Sequence, residues 1–200
     1  MRDEPSLSTE RLVLRRWTEA DRDPFAAMNA DPEVMRYFPG TLSREHSDAL
    51  VDRFERGFAT DGFSQWVVEV KGGPAFLGFA GIWRLPDTNP HAGAVEVGWR
   101  LARGAWHRGY ATEAARAAVA YGFDVVGLSE IVSMTAAVNR PSRAVMERLG
   151  MTCDLADDFD HPAVATGPLR RHVLYRLRRS RRCDPPRSAA PGGSERLGTS

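Results

Sequence analysis

The 200-residue sequence predicts a single mixed α/β domain. Strand-like runs with alternating apolar residues recur along it, and the runs at 63–70 and 75–83 are joined by a Lys-Gly-Gly-Pro turn typical of an antiparallel hairpin. An alanine-rich, helix-like stretch over 110–126 separates a strand at 94–101 from one at 130–138. A strand that is reached by crossing a helix can pair in parallel, so we expect a mixed, mostly antiparallel sheet of about seven strands flanked by helices.

The N-terminal part is predicted to hold one strand followed by helices. Residues 11–17 alternate as a strand, and residues 18–21 are a capping signature for a helix that carries Phe25. Asp31 is followed by proline, which is favoured at the first helical position, so a second short helix is expected there. Ser43 is a candidate N-cap for a third helix, in which large apolar residues recur at every fourth position.

The C-terminal part is predicted to return to the sheet. Asn139 is expected to cap a helix that ends at Leu149-Gly150, because glycine readily adopts the left-handed conformation that ends helices. Residues 151–155 and 171–177 have the pattern of the last two strands. Residues 157–162 lie between them as a polar loop.

Composition limits the classes of protein that fit. A hydrophobic content of 42% suits one well-packed domain, and no apolar run approaches the roughly 20 residues of a membrane span. The N-terminus lacks the apolar core of a signal peptide, so a cytoplasmic location is expected. Cys153 and Cys183 are the only cysteines and support neither a disulfide framework nor a metal site; Cys153 is expected in the core. We expect no metal.

Charge is unevenly distributed along the chain. Residues 178–200 carry six arginines against Asp184 and Glu195, a net charge of +4, so residues 1–177 carry −3. Arginine, proline and glycine dominate this segment, which predicts a domain over residues 8–177 and a disordered tail after it. The tail would contact nucleic acid weakly, if at all.

A glycine turn that leads into a helix is the most informative motif. Residues 106–114 follow the strand at 94–101, and the first amides of a helix have no intrahelical partners, so with the helix dipole they favour an anion. Gly109 allows close approach of the backbone, and Arg108 adds positive charge. The turn has neither the G-x-G-x-x-G nor the G-x-x-x-x-G-K-[ST] pattern, which argues against both common nucleotide loops. Taken alone, such a turn is more often a simple strand-to-helix connection, and the flanking strand and helix patterns favour the anion site.

Three segments together resemble the GNAT N-acetyltransferase superfamily, namely residues 9–15, 106–115 and 139–150. Within that superfamily they look most like the ribosomal-protein N-terminal (alanine/serine) acetyltransferase branch. The resemblance covers the expected domain. It implies a GNAT fold in which the strands at 94–101 and 130–138 splay apart and acetyl-CoA enters the gap.

The same resemblance implies which residues bind the coenzyme. Amides of the turn would hold the pyrophosphate, the strand end at Leu101 would pair with the pantetheine arm or donate an amide to the developing oxyanion, and Asn139 and Ser142 would face the pantetheine. Trp106 occupies the first position of the family's pyrophosphate motif. The complete set is Leu101, Arg103, Arg108, Gly109, Tyr110, Ala111, Thr112, Asn139 and Ser142.

Glu96 is the candidate catalytic residue. It lies mid-strand on the face opposite the apolar residues of its strand, and a general base is useful because an amine is largely protonated at neutral pH. The alternative is a structural carboxylate paired with Arg100. His161 is a second candidate base or an organiser of its loop. Met146 stands where some family members have a tyrosine general acid.

The resemblance implies an acetyl-CoA-dependent N-acetyltransferase that acts on a primary amine, either a protein N-terminus or a small molecule, by direct attack in a ternary complex. The polar loop carries three aspartates that would attract a cationic amine, or that are present simply because the loop is solvated: Asp157, Asp158 and Asp160. Trp83 and Trp99 would line the acceptor side or belong to the core. The alternative function is a non-catalytic acyl-CoA-binding sensor. No membrane partner is expected, and either a monomer or a homodimer fits.

Overall fold

A computed structural model describes residues 6–179 of the chain. All but the first two residues of the predicted tail lie outside the described residues, so its disorder and its contacts stay predictions, as do the domain boundaries. None of the helices within the described part is long and apolar enough to cross a membrane.

One sheet of nine strands organises the described residues. The strands are β1 Leu7–Ser8, β2 Leu12–Arg15, β3 Gln65–Val70, β4 Gly78–Arg84, β5 Val95–Leu101, β6 Glu130–Ala136, β7 Thr152–Cys153, β8 Phe159–Asp160 and β9 Arg171–Arg178. They lie in the order β1-β2-β3-β4-β5-β6-β9-β7, with β8 beside β9. Every pair is antiparallel except β5 with β6, which confirms the mixed sheet. The two strands beyond the predicted seven, β1 and β8, have two residues each and are too short to show alternation.

In the described part of the chain, four α-helices flank the sheet: α1 Arg22–Ala30, α2 Arg44–Asp61, α3 Tyr110–Asp124 and α4 Arg140–Arg148. Ser43 caps α2 and Asn139 caps α4, as predicted. The helix expected from Asp31 is wrong, because that segment forms only consecutive turns. The Met35 amide bonds to the Asp31 carbonyl, and the Phe38 amide then bonds to the Met35 carbonyl, which tightens the turn instead of continuing a helix.

The core fills both faces of the sheet. On β4, Trp83 contacts Phe54 of α2, whereas a side chain at Gly122 of α3 would meet Ile82. Because neighbouring residues of a strand point to opposite faces, α2 and α3 cover opposite sides. Alanines at 114, 115 and 118 are fully buried and allow α3 to lie close to the sheet.

The sheet opens between its two parallel strands. β5 and β6 have seven residues each, yet they pair only where Glu96 lies beside Val132. Beyond this point the described part of the chain has no ladder pairing between them. This is the predicted splay, and it leaves one edge of β5 free for another partner.

Candidate active site

A cleft of about 1300 Å³ occupies the splay and the surrounding helix ends. It is larger than most small-molecule sites, which run to about 1000 Å³, so it has room for two reactants. Residues of β4, β5 and β6 line it, together with the first turns of α3 and α4.

The N-terminus of α3 presents unpaired amides to this cleft. Gly109 is the N-cap and takes the left-handed conformation, with φ of 79°, and His107 is also left-handed at 59°. The first bond that closes the helix runs from the Glu113 amide to the Gly109 carbonyl. Within residues 6–179, no hydrogen bond uses the amides of residues 110–112. These donors and the helix dipole suit an anion such as a pyrophosphate.

Arg11 places a guanidinium at the same turn, a feature that the sequence did not reveal. Its Nη1 donates to the Arg108 carbonyl at 3.0 Å, and its guanidinium carbon lies 4.8 Å from the Tyr110 ring centre. Glu113 holds it through a bond from Nε of 2.7 Å, and Thr9 donates to the same carboxylate at 2.6 Å. The Glu113 carboxylate thus neutralises part of the charge of the Arg11 guanidinium, which lies at this turn.

Most of the predicted coenzyme residues come together in the cleft. Two do not, Arg103 and Arg108. The side chain of Arg103 is exposed and lies 3.9 Å from Asp31, while Arg108 is exposed and contributes its carbonyl to the contact with Arg11. The residues that line the cleft as expected are Leu101, Gly109, Tyr110, Ala111, Thr112, Asn139 and Ser142.

The end of β5 offers backbone donors to the cleft. The amide of Ala102 bonds to Leu77 on the β4 side. Because successive amides of a strand point to alternate edges, those of Trp99 and Leu101 face the open edge. The Leu101 carbonyl is already occupied by the Trp106 indole N–H at 2.7 Å. Trp106 therefore holds the strand end in place, and the amides, rather than this carbonyl, are available to a ligand.

Asn139 joins the start of α4 to β6. Its side-chain oxygen accepts from the Ser142 amide at 3.3 Å, and its nitrogen donates to Thr135 at 2.8 Å and to the Ser142 hydroxyl at 3.1 Å. These bonds fix the wall of the cleft on the α4 side. Met146, also in this wall, is buried and has no titratable group for a general acid.

Glu96 lies where β5 and β6 begin to separate. Its carboxylate accepts from the Trp83 indole N–H at 2.9 Å and from the Met134 amide at 3.2 Å, so it bridges the opening between the strands. The pKa of Glu96 is raised to about 7, because burial disfavours the charged carboxylate more strongly than these two hydrogen bonds favour it. A carboxylate with this pKa is half-ionised near neutrality, as a general base needs to be.

Glu96 does not form the alternative pair with Arg100. Arg100 Nη1 instead donates to Asn29 at 2.6 Å, and its guanidinium stacks against Phe38, with 4.2 Å from carbon to ring centre. The two side chains share a strand face but are separated by Gly98, and other residues hold each of them. The carboxylate therefore has no cation that would keep its pKa low.

Two histidines lie at the rim of the cleft. His161 Nδ1 accepts from the Ala163 amide at 3.2 Å, so the residue organises its own loop and also lines the cleft. Its ring centre is 4.7 Å from that of His172, which sequence reasoning did not single out. The pKa of His172 is lowered, chiefly by burial. The sequence could not place His172 at the cleft, because β9 pairs with β6 only in the folded sheet and follows it by more than thirty residues.

Other expectations about site residues are corrected. The three aspartates of the acidic loop do not line the cleft: Asp157 pairs with Arg176 at 2.7 Å and Asp160 with Arg170 at 2.9 Å, while Asp158 lies 3.7 Å from Arg171. Arginines of the loop and of β9 thus neutralise its charge. Cys153 is exposed and not in the core, since β7 is a two-residue strand at the sheet edge.

The two tryptophans of the acceptor prediction both line the cleft, Trp83 beside Glu96 and Trp99 on the opposite strand face. Within residues 6–179, no group of three or more His, Cys, Asp or Glu side chains has a metal-binding arrangement.

Comparison with known proteins shows which family has this architecture. A family model described as "Acetyltransferase (GNAT) domain" matches residues 11–152. FsC-acetyl coenzyme A-N(2)-transacetylase of Aspergillus fumigatus is 34% identical over 156 residues, which are 74% of this chain and 66% of that relative. The crystal structure of an acetyltransferase from Agrobacterium tumefaciens superposes with a TM-score of 0.73 and 28% identity, covering 88% of this chain and 95% of that one. The fold is also that of the ribosomal-protein-S5-alanine acetyltransferase from Vibrio fischeri, at a TM-score of 0.70, 16% identity, and coverage of 88% and 98%.

Proposed function

The chain belongs to the GNAT acetyltransferase family and is an N-acetyltransferase, and from this premise we propose that it transfers an acetyl group from acetyl-CoA directly to a primary amine, with Glu96 as the general base. The Aspergillus relative carries acetyl coenzyme A in its name, which supports this donor. We further propose that the enzyme is cytoplasmic and acts as a monomer or a homodimer. Its acceptor would be a small amine or a protein N-terminus.

One observation carries it: the Glu96 carboxylate lies at the opening of the splay, in the same cleft as the unpaired amides of α3. The amides of residues 110–112, with Arg11 beside them, would hold the pyrophosphate of the coenzyme. The free edge of β5 would pair with the pantetheine arm. These contacts would direct the coenzyme towards Glu96.

Acetyl-CoA supplies an activated thioester, so the protein's part is to position the amine, remove its proton and donate hydrogen bonds to the carbonyl oxygen. Glu96 would accept the proton from the amine. The open-edge amides of Trp99 and Leu101 are the available donors for the oxygen. Direct transfer needs no covalent enzyme intermediate, and Cys153 does not line the cleft.

The test combines Glu96→Gln with a thiol-release assay on a panel of amines. Glutamine keeps the shape and one of the two acceptor oxygens but cannot take the proton of the amine, so we expect turnover to fall by about a hundredfold or more. The dissociation constant of CoA, measured by calorimetry, should stay the same. Glu45→Gln, at an exposed position in the first turn of α2, is the matched control and should retain full activity.

The possible results of this test distinguish the proposed enzyme from the alternatives. Unchanged turnover in Glu96→Gln would remove the residue from the mechanism while leaving the activity. Coenzyme binding without turnover of any amine would instead favour the non-catalytic sensor. Failure to bind CoA at all would overturn the proposal as a whole.

A further inference from the structure

The side of the cleft that carries Glu96 contains two buried polar atoms without partners. The Oε1 of Gln65 and the Nε of Arg100 make no hydrogen bond within the described chain, and both residues line the cleft. Leaving a buried polar atom unpaired is costly, so two of them in one wall call for an explanation.

The sheet is built to bring Gln65 to this wall. Gln65 of β3, Gly81 of β4 and Gly98 of β5 lie in one row of the ladder. The two glycines have no side chains, so the Gln65 amide reaches across β4, and its nitrogen would lie 3.5 Å from a Cβ at position 98. Gly98 also separates Glu96 from Arg100 on the same strand face and leaves a space between them.

Arg100 is held rigidly but not neutralised. Nη1 donates to Asn29, which is fully buried and itself bonded to Ser47 at 3.1 Å. The guanidinium lies between Phe38 and Phe79, at 4.2 and 5.5 Å from their ring centres. No carboxylate within residues 6–179 pairs with it. Burial lowers its pKa to about 10, which leaves it fully charged at neutral pH.

A second arginine adds to the positive charge of this wall. Arg53 of α2 lines the cleft and stacks on Trp83 at 4.5 Å, and no acidic residue of the described chain forms an ion pair with it. The aspartates at 157, 158 and 160, which would have attracted a cationic amine, lie near arginines and do not line the cleft. The wall therefore favours an anionic group over a polycation.

We propose that the acceptor is a primary amine that carries a carboxylate, with Arg100 binding the carboxylate while the nitrogen lies towards Glu96. This inference rests on the proposed function and names its substrate class. Residues 96 and 100 lie on one strand face about 13 Å apart at Cα, at about 3.3 Å per residue. Between them lies Gly98, beside which the Gln65 amide ends, with its nitrogen nearest to position 98 and its oxygen unpaired. Arg100 is a specificity-determining residue in this arrangement, because its planar donors match a carboxylate.

The test compares N-acetyl amino acids, the products of the proposed reaction, with their carboxamides. The acetyl group abolishes titration of the amine, so each pair differs in the charge at one position. Derivatives of glycine, alanine, leucine and phenylalanine are titrated by calorimetry into the full chain saturated with CoA. We expect at least one acid to bind ten times or more tightly than its amide.

Substitutions test whether Arg100 causes the preference for the acid over the amide. Arg100→Gln should reduce the acid-to-amide ratio to less than twofold without changing the dissociation constant of CoA. Arg56→Gln, an exposed arginine on α2 outside the cleft lining, should keep the wild-type ratio. If Arg100→Gln does not fold, the wild-type comparison decides by itself.

Acids and amides that bind alike, or no binding of either, would overturn the proposal, and so would a preference that survives in folded Arg100→Gln. Each of these results leaves the proposed function standing if CoA binds and other amines are acetylated. Loss of CoA binding in the wild type would instead be a failure of the proposed function.

Discussion

Glu96 should destabilise the folded chain at neutral and alkaline pH. Its pKa is raised from 4.5 to about 7 in the folded state by burial. Between these values the unfolded chain loses the proton while the folded chain keeps it, so the free energy of unfolding falls as pH rises from 4.5 to 7 and stays lower above 7. At about 1.4 kcal/mol per pKa unit, the loss is at most about 3–4 kcal/mol.

Glu96→Gln removes this loss, because glutamine is uncharged at every pH; its single oxygen can still accept from either Trp83 or Met134, and the other bond is lost at every pH alike. Relative to wild type, we expect the variant to gain stability as pH rises, with the gain complete near pH 8. Urea denaturation of both proteins from pH 4.5 to 8 measures the difference, from which all other titrating groups cancel. The difference for Glu45→Gln should be flat.

A flat difference curve for Glu96→Gln would refute the reasoning, since it would mean that the carboxyl has an ordinary pKa in the folded chain. A gain that grows towards acid pH would mean that the folded state stabilises the charged carboxylate, against the burial argument. Either result would also remove the reason to regard Glu96 as a base that operates near neutrality, independently of any assay of activity.

Two further predictions concern the coenzyme side of the cleft. Gly109→Ala forces alanine into the left-handed region at φ of 79°, so the free energy of unfolding should fall by roughly 1–2 kcal/mol and CoA should bind more weakly; CoA affinity equal to wild type in calorimetry would contradict the role of this turn. Asn139→Ala removes the cap of α4 and the bond to Thr135, which should lower the free energy of unfolding by about 1 kcal/mol or more in urea denaturation. Undiminished stability would show that these bonds contribute nothing.

Much of this site follows from local sequence pattern. The alternation of β5 places Glu96 opposite the apolar face of its strand, and glycine before an alanine-rich helix predicts the free amides at α3. These features depend on backbone stereochemistry and on side-chain period over a few residues, so they can be read without the rest of the chain. The wrong helix at Asp31 arose because proline and an acidic residue start isolated turns as well as helices.

Contacts between segments that are far apart in the sequence cannot be predicted from such local patterns. Arg11 meets Glu113 across 102 residues of chain, and Gln65 reaches the cleft only because glycines happen to face it on two neighbouring strands. The alternative pairing of Glu96 with Arg100 follows from spacing alone, yet in the folded chain Arg100 bonds to Asn29 and stacks on Phe38 instead.

Sequence was thus sufficient for the family and for the order of the major elements, and it singled out the glycine turn whose following amides are unpaired, since each rests on short-range patterns. The charge state of Glu96 and the unpaired charge of Arg100 emerged only from the folded chain. Both depend on how far water is excluded and on which partners arrive from other strands and helices, and neither quantity is encoded within a few neighbouring residues.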